Sequence, residues 1–129
     1  KVPKQGLVGT TAEREFLQDL SAAAKVGNHP NVVALLGWYR LNGSPCVVTQ
    51  FMEKGALLDV LRSTSNRPPF MELIRCVADS AAGLTHMHGE GIVHRDVAAR
   101  NVLLDGHNRG YIADFGFART LESGASAGQ

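Results

Sequence analysis

The sequence predicts an α+β fold, in which strands and helices are grouped instead of alternating in a repeating β-α-β unit. Three observations carry this prediction. A helical pattern opens the chain, and an Asn42-Gly43 turn between two apolar segments then predicts a β-hairpin. Two more helical segments follow, the second of them long, and three short β segments come after it.

The size and charge of the chain exclude several classes of protein. Its 129 residues, 44% of them hydrophobic, suit one small domain or a piece of a larger one and argue against intrinsic disorder. The 13 Lys and Arg against 12 Asp and Glu give a net charge of +1, so bulk charge offers no case for binding nucleic acid or a membrane. No apolar run reaches the about 18 residues of a membrane span. The two cysteines are expected to be reduced thiols.

The first helix is predicted from its capping box. Thr10-Thr11-Ala12-Glu13 has a hydroxyl at the N-cap and a carboxylate three residues later, which is the pattern that starts a helix. Gly27 is expected to end this helix in a left-handed conformation. The predicted apolar face consists of Phe16, Leu20, Ala23 and Ala24.

Two strands and a short helix are predicted next. The strands cover Val32–Tyr39 and Cys46–Gln50, and Asn42-Gly43 between them supplies the two positive φ angles of a tight hairpin turn. Gly55 then separates the second strand from a helical piece over Ala56–Arg62.

The longest helix is predicted to open after Pro68-Pro69 and to run to about His88, because prolines favour the first turn of a helix. Its predicted apolar face consists of Leu73, Val77, Leu84 and Met87. The short β segments that follow are Ile92-Val93, Val102–Leu104 and Tyr111–Ala113. The loop 105–110 is expected to join the last two as a hairpin.

The segment that carries chemistry is His94-Arg95-Asp96-Val97-Ala98-Ala99-Arg100-Asn101, followed by Asp114-Phe115-Gly116. These two motifs resemble the catalytic loop and the metal-binding motif of eukaryotic protein kinases, and they stand in the family's order. The resemblance implies a partial two-lobed protein kinase fold. It also implies transfer of a phosphoryl group from ATP to a hydroxyl of a protein substrate.

The resemblance gives three residues of these motifs a role. Asp96 would orient the attacking hydroxyl and accept its proton, while Asn101 and Asp114 would bind Mg²⁺ through hard oxygen donors. The alternative is that Asp96 and Asp114 are ordinary turn or cap residues. That alternative rests on composition alone, and the ordered pair of motifs outweighs it.

A second resemblance lies upstream, where the segment Val48–Gly55 looks like the hinge between the two lobes of a kinase. By this likeness Thr49 would be the gatekeeper beside the adenine. Gln50 and Met52 would offer backbone groups to the adenine edge.

Two more nucleotide contacts follow from the same likeness. Leu103 would form the floor under the adenine ring, and Asp59 would reach the ribose. A solvated charge on a helix face is the alternative for Asp59.

The family pairs a strand Lys, which contacts the α/β-phosphates, with a helix Glu. Lys1-Val2-Pro3-Lys4 resembles the end of that strand, so Lys1 is the candidate; Lys4, or a frayed terminal Lys without a role, is the alternative. Asp19 stands where the family usually has Glu and is one methylene shorter. Together with the small residues Ala22–Ala24, this departure keeps a pseudokinase or scaffold open beside an active enzyme.

The substrate class is indicated by the residues after Asp96. Serine/threonine kinases usually carry Lys two residues after the catalytic Asp, whereas this chain has Ala98 there and Arg100 two residues further on. The string resembles tyrosine kinases, in which Arg100 would supply the cation to the γ-phosphate. A serine/threonine kinase of the tyrosine-kinase-like type is the alternative.

The likeness also predicts how the chain is organised. Residues 1–120 would be a partial kinase domain, with small-lobe residues 1–49, hinge 50–55 and large-lobe residues 56–120, and residues 121–129 would be a truncated activation-segment stub. The chain starts without Met and shows no Gly-rich loop, so we expect a fragment that is inactive by itself. The expected partners are ATP and a protein substrate. A location in the cytoplasm, or on the cytoplasmic side of a membrane receptor, fits this class, with no membrane contact from the fragment itself.

Overall fold

The computed structural model describes residues 11–113 and 119–120, apart from the side chains of residues 12, 119 and 120. The predicted α+β class is confirmed, because helices and antiparallel strand pairs are grouped along the chain. The helices are α1 (Thr11–Val26), α2 (Leu57–Arg62) and α3 (Phe70–Gly89), with a 3₁₀ turn at Ala99–Asn101. The strands are β1 (Leu35–Leu41), β2 (Ser44–Thr49), β3 (Gly55–Ala56), β4 (Ile92–Val93), β5 (Val102–Leu104), β6 (Gly110–Ile112) and β7 (Arg119–Thr120).

Helix α1 begins directly after Thr10, the predicted N-cap, which itself lies outside the described residues. It ends at Val26, and Gly27 follows with φ +66°, which confirms the predicted left-handed end. The predicted apolar face is partly wrong, because Ala24 is exposed whereas Ala22 and Val26 are buried in the main core.

The N-terminal half of α1 packs on β1 through two contacts. The rings of Phe16 and Trp38 meet edge to face with their centroids 6.3 Å apart. Nearby, Arg40 Nη2 donates a 2.7 Å hydrogen bond to Glu13 Oε1. These contacts hold the helix that carries Asp19 against the hairpin.

Strands β1 and β2 form the predicted antiparallel hairpin. Asn42 and Gly43 have φ values of +50° and +79°, as the predicted tight turn requires. The first strand starts later than predicted, at Leu35, because the preceding residues bond to β6 instead. Val32 forms a parallel bridge with Ile112, and Val33 N–H donates to the Ile112 carbonyl at 2.9 Å.

The second half of the chain is organised around α3 and the antiparallel sheet β3-β5-β6, in which the predicted β5-β6 hairpin is present. The last predicted strand is one residue off, because β6 ends at Ile112. The predicted apolar face of α3 is wrong at Val77, which is 64% exposed. The helix instead turns Cys76, Asp79, Gly83 and Met87 inward. Gly83 lies so close to the Asn31 carbonyl oxygen that an added Cβ would clash with it.

Within the described part of the chain, none of the helices is both long enough and apolar enough to cross a lipid bilayer.

Candidate active site

The predicted catalytic loop connects β4 to β5 and folds back on itself. Arg95 takes a left-handed conformation with φ +67°, which reverses the chain immediately before Asp96. Ala98 is extended, and the following 3₁₀ turn is closed by a 2.9 Å bond from Asn101 N–H to the Ala98 carbonyl. This path brings together Asp96, Arg100 and Asn101, three of the predicted site residues.

Each carboxylate oxygen of Asp96 has its own partner. Arg100 Nη2 lies 2.6 Å from Oδ1, and Asn101 Nδ2 donates to Oδ2 at 2.8 Å. The same Asn101 nitrogen also donates to the backbone carbonyl of Asp96 at 2.8 Å. The Asp96 side chain is 22% exposed, so its carboxylate is held in place and still open to a reactant.

His94 is 1% exposed and holds the loop in place through hydrogen bonds of both ring nitrogens. Its Nδ1 accepts the Asp96 N–H at 3.2 Å, so this nitrogen carries no proton. Its Nε2 therefore carries the proton that is donated to the Ala113 carbonyl, 2.7 Å away. Ala113 N–H in turn donates to the Asn101 carbonyl at 2.8 Å. Both backbone groups of the residue preceding Asp114 are thus fixed to the loop, whereas Asp114 itself lies outside the described residues.

A small apolar cluster lies next to this loop. Its buried members are Val33, Met52 and Ala113, and the half-buried Leu103 and Tyr111 pack against them. The structure therefore brings together Met52 and Leu103, two of the residues predicted to surround the adenine. Ala113 joins the apolar cluster to the catalytic loop, because its side chain packs in the first and its backbone bonds to the second.

The other predicted nucleotide contacts lie along the hinge and α2. Thr49 is an exposed residue at the end of β2, and Gln50 N–H donates to the Ala34 carbonyl at 2.9 Å. The Met52 carbonyl accepts Gly55 N–H at 3.1 Å. Asp59 is exposed in the first turn of α2. Within the described part of the chain, no hydrogen bond or ion pair joins these residues to Asp96.

The predicted ion pair between strand and helix is only half described. Asp19 is half-buried on α1, and Lys1 lies outside the described residues.

The amide of Asn101 has an orientation that suits a metal ligand. Because Nδ2 donates to the backbone carbonyl and to Oδ2 of Asp96, Oδ1 is the hard oxygen that remains for a cation. Among residues 11–113 and 119–120, no group of three or more His, Cys, Asp or Glu side chains is arranged to hold a metal ion.

Sequence reasoning missed the ion pair between the buried Asp79 and the half-exposed Arg109, which lies at the start of the strand leading to the site. Asp79 on α3 accepts bonds of 2.8 Å and 2.6 Å from Arg109 Nε and Nη2, and a 3.0 Å bond from Gly110 N–H. Burial alone would raise the pKa of Asp79, but these bonds hold that pKa below its usual value. The pair fixes the start of β6, the strand that leads to Ala113. The sequence feature that could have indicated this pair is Asp79 itself, the one carboxylate among the inward-facing residues of α3.

Comparison with known proteins identifies the family. The family model described as protein tyrosine and serine/threonine kinase matches residues 2–128. The chain is 34% identical over 125 residues to the serine/threonine-protein kinase STY17 of Arabidopsis thaliana, covering 96% of this chain and 22% of that protein. It is also 36% identical over 117 residues to ephrin type-A receptor 8 of Mus musculus, covering 89% of this chain and 12% of the relative.

A third relative is the tyrosine-protein kinase receptor svh-2 of Caenorhabditis elegans, 37% identical over 110 residues that make up 84% of this chain and 10% of the relative. The fold and the loop geometry are those of part of a protein kinase domain. The chain belongs to the protein tyrosine and serine/threonine kinase family, and it spans about a fifth or less of the length of these relatives.

Proposed function

We propose that the protein containing this chain transfers the γ-phosphoryl group of ATP to the hydroxyl of a tyrosine in a protein substrate. One observation carries the proposal. The Asp96 carboxylate is fixed by Arg100 and Asn101 and remains partly open to solvent. A positioned base next to a cation and a metal-binding oxygen is what phosphoryl transfer demands, because this chemistry depends on positioning and on charge neutralisation.

In this mechanism Asp96 binds the substrate hydroxyl through a carboxylate oxygen and accepts its proton as the bond to phosphorus forms. The two Asn101 bonds, one to the carboxylate and one to the backbone carbonyl of Asp96, hold the base in one orientation, which lowers the entropic cost of reaching the transition state. Arg100 leaves its 2.6 Å contact with Asp96 when nucleotide binds and turns to the γ-phosphate.

Mg²⁺ would neutralise charge on the ATP phosphates when bound. Asn101 would hold the ion through Oδ1, and Asp114 would complete the pair of protein ligands. Lys1 is proposed to contact the α/β-phosphates with Asp19 as its partner. The shorter side chain of Asp19 requires α1 to lie closer to Lys1 than a Glu would.

The adenine is proposed to bind between the hinge and the cluster around Leu103. Because Gln50 N–H and the Met52 carbonyl already take part in backbone bonds, we assign the adenine edge to the opposite groups, the Gln50 carbonyl and Met52 N–H. Thr49 would border this site as gatekeeper, and Asp59 would bind the ribose. The lobes then divide as 1–49, 50–55 and 56–120, with the stub at 121–129.

Tyrosine is favoured over serine and threonine by the place of Arg100, four residues after Asp96 and in contact with it. A tyrosine hydroxyl is further from its own backbone than a serine hydroxyl, so the substrate chain runs further from Asp96 and leaves room for Arg100. The similarity to STY17, a serine/threonine-protein kinase by name, supports the second candidate, a serine/threonine kinase.

The test uses the full-length protein, ATP, Mg²⁺ and a peptide library that contains Tyr, Ser and Thr, read by mass spectrometry. We expect phosphotyrosine from the wild type, and an at least about 100-fold loss of rate in Asp96→Asn, since a general base contributes about 10²–10⁴-fold. Glu15→Gln, an exposed change on α1, serves as the control.

Product containing only phosphoserine and phosphothreonine would overturn the tyrosine assignment and keep the kinase. A folded wild type without phosphate transfer would support the pseudokinase or scaffold that Asp19 leaves open.

A further inference from the structure

Two histidines stack where the end of α1 meets α3. The rings of His29 and His86 are 4.6 Å apart between centroids, with an angle of 19° between their planes. His29 lies in the turn after α1, and His86 lies in the last turn of α3. Neither residue has a part in the proposed phosphoryl transfer.

Hydrogen bonds define where the protons of these rings lie. His29 Nδ1 accepts the backbone N–H of Asn31 at 3.0 Å, so it carries no proton. His86 Nε2 donates to the Val26 carbonyl at 2.7 Å, which satisfies a carbonyl at the end of α1. His86 keeps this donor whether or not its ring is charged, whereas His29 can accept only while Nδ1 is free of a proton.

The turn that contains His29 is joined to the strand leading into the active site. The Asn31 carbonyl accepts Ile112 N–H at 2.8 Å, and Asn31 Nδ2 donates to the Gly110 carbonyl at 3.1 Å. Both acceptor and donor lie in β6, directly before Ala113. A loosened turn would therefore affect α1, α3 and β6 together.

We propose that His29 and His86 form an acid-sensitive link that holds α1 to α3 and β6. The link is closed while His29 is neutral. A proton on His29 Nδ1 removes the acceptor of Asn31 N–H and places a positive charge against the ring of His86, so the link opens. This regulation goes beyond the proposed phosphoryl transfer, and it can be tested without measuring any kinase activity.

The surrounding charges leave His29 as the sensitive group. On α1, the Lys25 ammonium lies beside Gly91, 3.5 Å from the position that a Cβ on Gly91 would occupy. On α3, the charge of Asp79 is neutralised by Arg109, which lies in the β5-β6 loop. The exposed His88 and Glu90 follow at the end of α3.

Burial is the main cause that lowers the pKa of His29, and the charge of His86 lowers this pKa further. A folded-state pKa below the unfolded value means that the stabilisation is complete above about pH 6.5. It is lost as the pH falls through the lower, folded-state pKa.

The test is hydrogen–deuterium exchange of the full-length protein at pH 7.5 and at pH 5, read by mass spectrometry on peptides that cover residues 27–33 and corrected for the intrinsic pH dependence of exchange. We expect protection in this segment to fall about fivefold at pH 5, the factor that corresponds to one lost hydrogen bond. His29→Asn keeps an acceptor without titrating, so its protection should not change with pH. Lys25→Gln, the control for a nearby cation, should behave as the wild type does.

If His29→Asn fails to fold, its amides will show no protection at pH 7.5. A second variant then keeps the proposal testable. His86→Gln retains a donor for the Val26 carbonyl and removes the second charge, so the loss of protection should move to higher pH. Equal protection of the wild type at both pH values would overturn the link. So would a pH-dependent loss that persists in His29→Asn, or an unshifted loss in His86→Gln.

Discussion

One nitrogen of Asn101 holds Asp96 at two points, since Nδ2 donates to both the carboxylate and the backbone carbonyl at 2.8 Å. The side chain thereby fixes the position and the rotation of the proposed base at once. It is also 5% exposed, so the amide that makes these bonds is itself buried. The geometry couples the base to the proposed metal ligand through a single amide.

Replacing this amide by a carboxylate should separate its two roles. Asn101→Asp keeps an oxygen for Mg²⁺ but places a second acidic group 2.8 Å from Asp96 Oδ2, where the two charges repel. We expect phosphoryl transfer to fall at least about 100-fold, because the base loses its fixed orientation. Steady-state rates and circular dichroism of the full-length protein measure this effect. A folded variant with wild-type turnover would contradict it.

Arg100→Ala should lower turnover by more than about tenfold, because the transition state loses one charge-assisted contact. The side chain is 58% exposed, so its removal should leave the stability of the fold nearly unchanged. Arg100→Lys is the matched control and should recover part of the rate, since it restores the charge without the planar fork. Rates measured at saturating ATP check this prediction. An Ala variant as fast as the wild type would remove Arg100 from the mechanism.

The sequence predicted best what depends on neighbouring residues. Asn42-Gly43 and Gly27 need positive φ angles at one place in the chain, and the structure has them there. Asp96 and Asn101 are only five residues apart, and the 3₁₀ turn at Ala99–Asn101 in the short segment between them accompanies their contact. Local chemistry of this kind can be read without knowledge of the packing.

Contacts between distant segments were not predictable in the same way. The side of α3 that faces the core depends on β6 and the Asn31 turn, so Val77 was wrongly placed inside and Asp79 was overlooked. Asp79 and Arg109 are 30 residues apart, and Asn31 and Gly110 are 79 apart. No periodicity within either segment specifies such a pairing.

The Asp79–Arg109 pair should give the domain an acid-dependent stability. Asp79→Asn should destabilise the complete domain by about 2 kcal/mol at pH 7, because a buried carboxylate loses its charge-assisted bonds. The folded-state pKa of Asp79 lies below the unfolded value, so its stabilisation is present above about pH 4 and disappears as the pH falls through the folded-state pKa.

Urea unfolding between pH 7 and pH 3 measures this stability. The difference between wild type and Asp79→Asn should shrink below about pH 4. Glu90→Gln is the control for an exposed carboxylate. A difference that stays constant down to pH 3 would show that the charge of Asp79 does not stabilise the fold.

The contact between α3 and the Asn31 turn predicts opposite effects at two glycines of one helix. At Gly83 an Ala Cβ would clash with the Asn31 carbonyl oxygen and lie 3.1 Å from Ile112 Cγ1, so α3 must move away from β6. We expect Gly83→Ala to cost about 3 kcal/mol of unfolding free energy, as overpacking of a core does. At Gly89, the last residue of α3, the added Cβ meets no other part of the chain within 4 Å, and Gly89→Ala should stabilise by about 0.5 kcal/mol through helix propensity. Denaturant unfolding of both variants measures the pair. Equal stabilities of the two variants would contradict the close approach of α3 to the Asn31 turn. Because Asn31 also binds Ile112, next to Ala113, the Gly83 variant should in addition turn over more slowly.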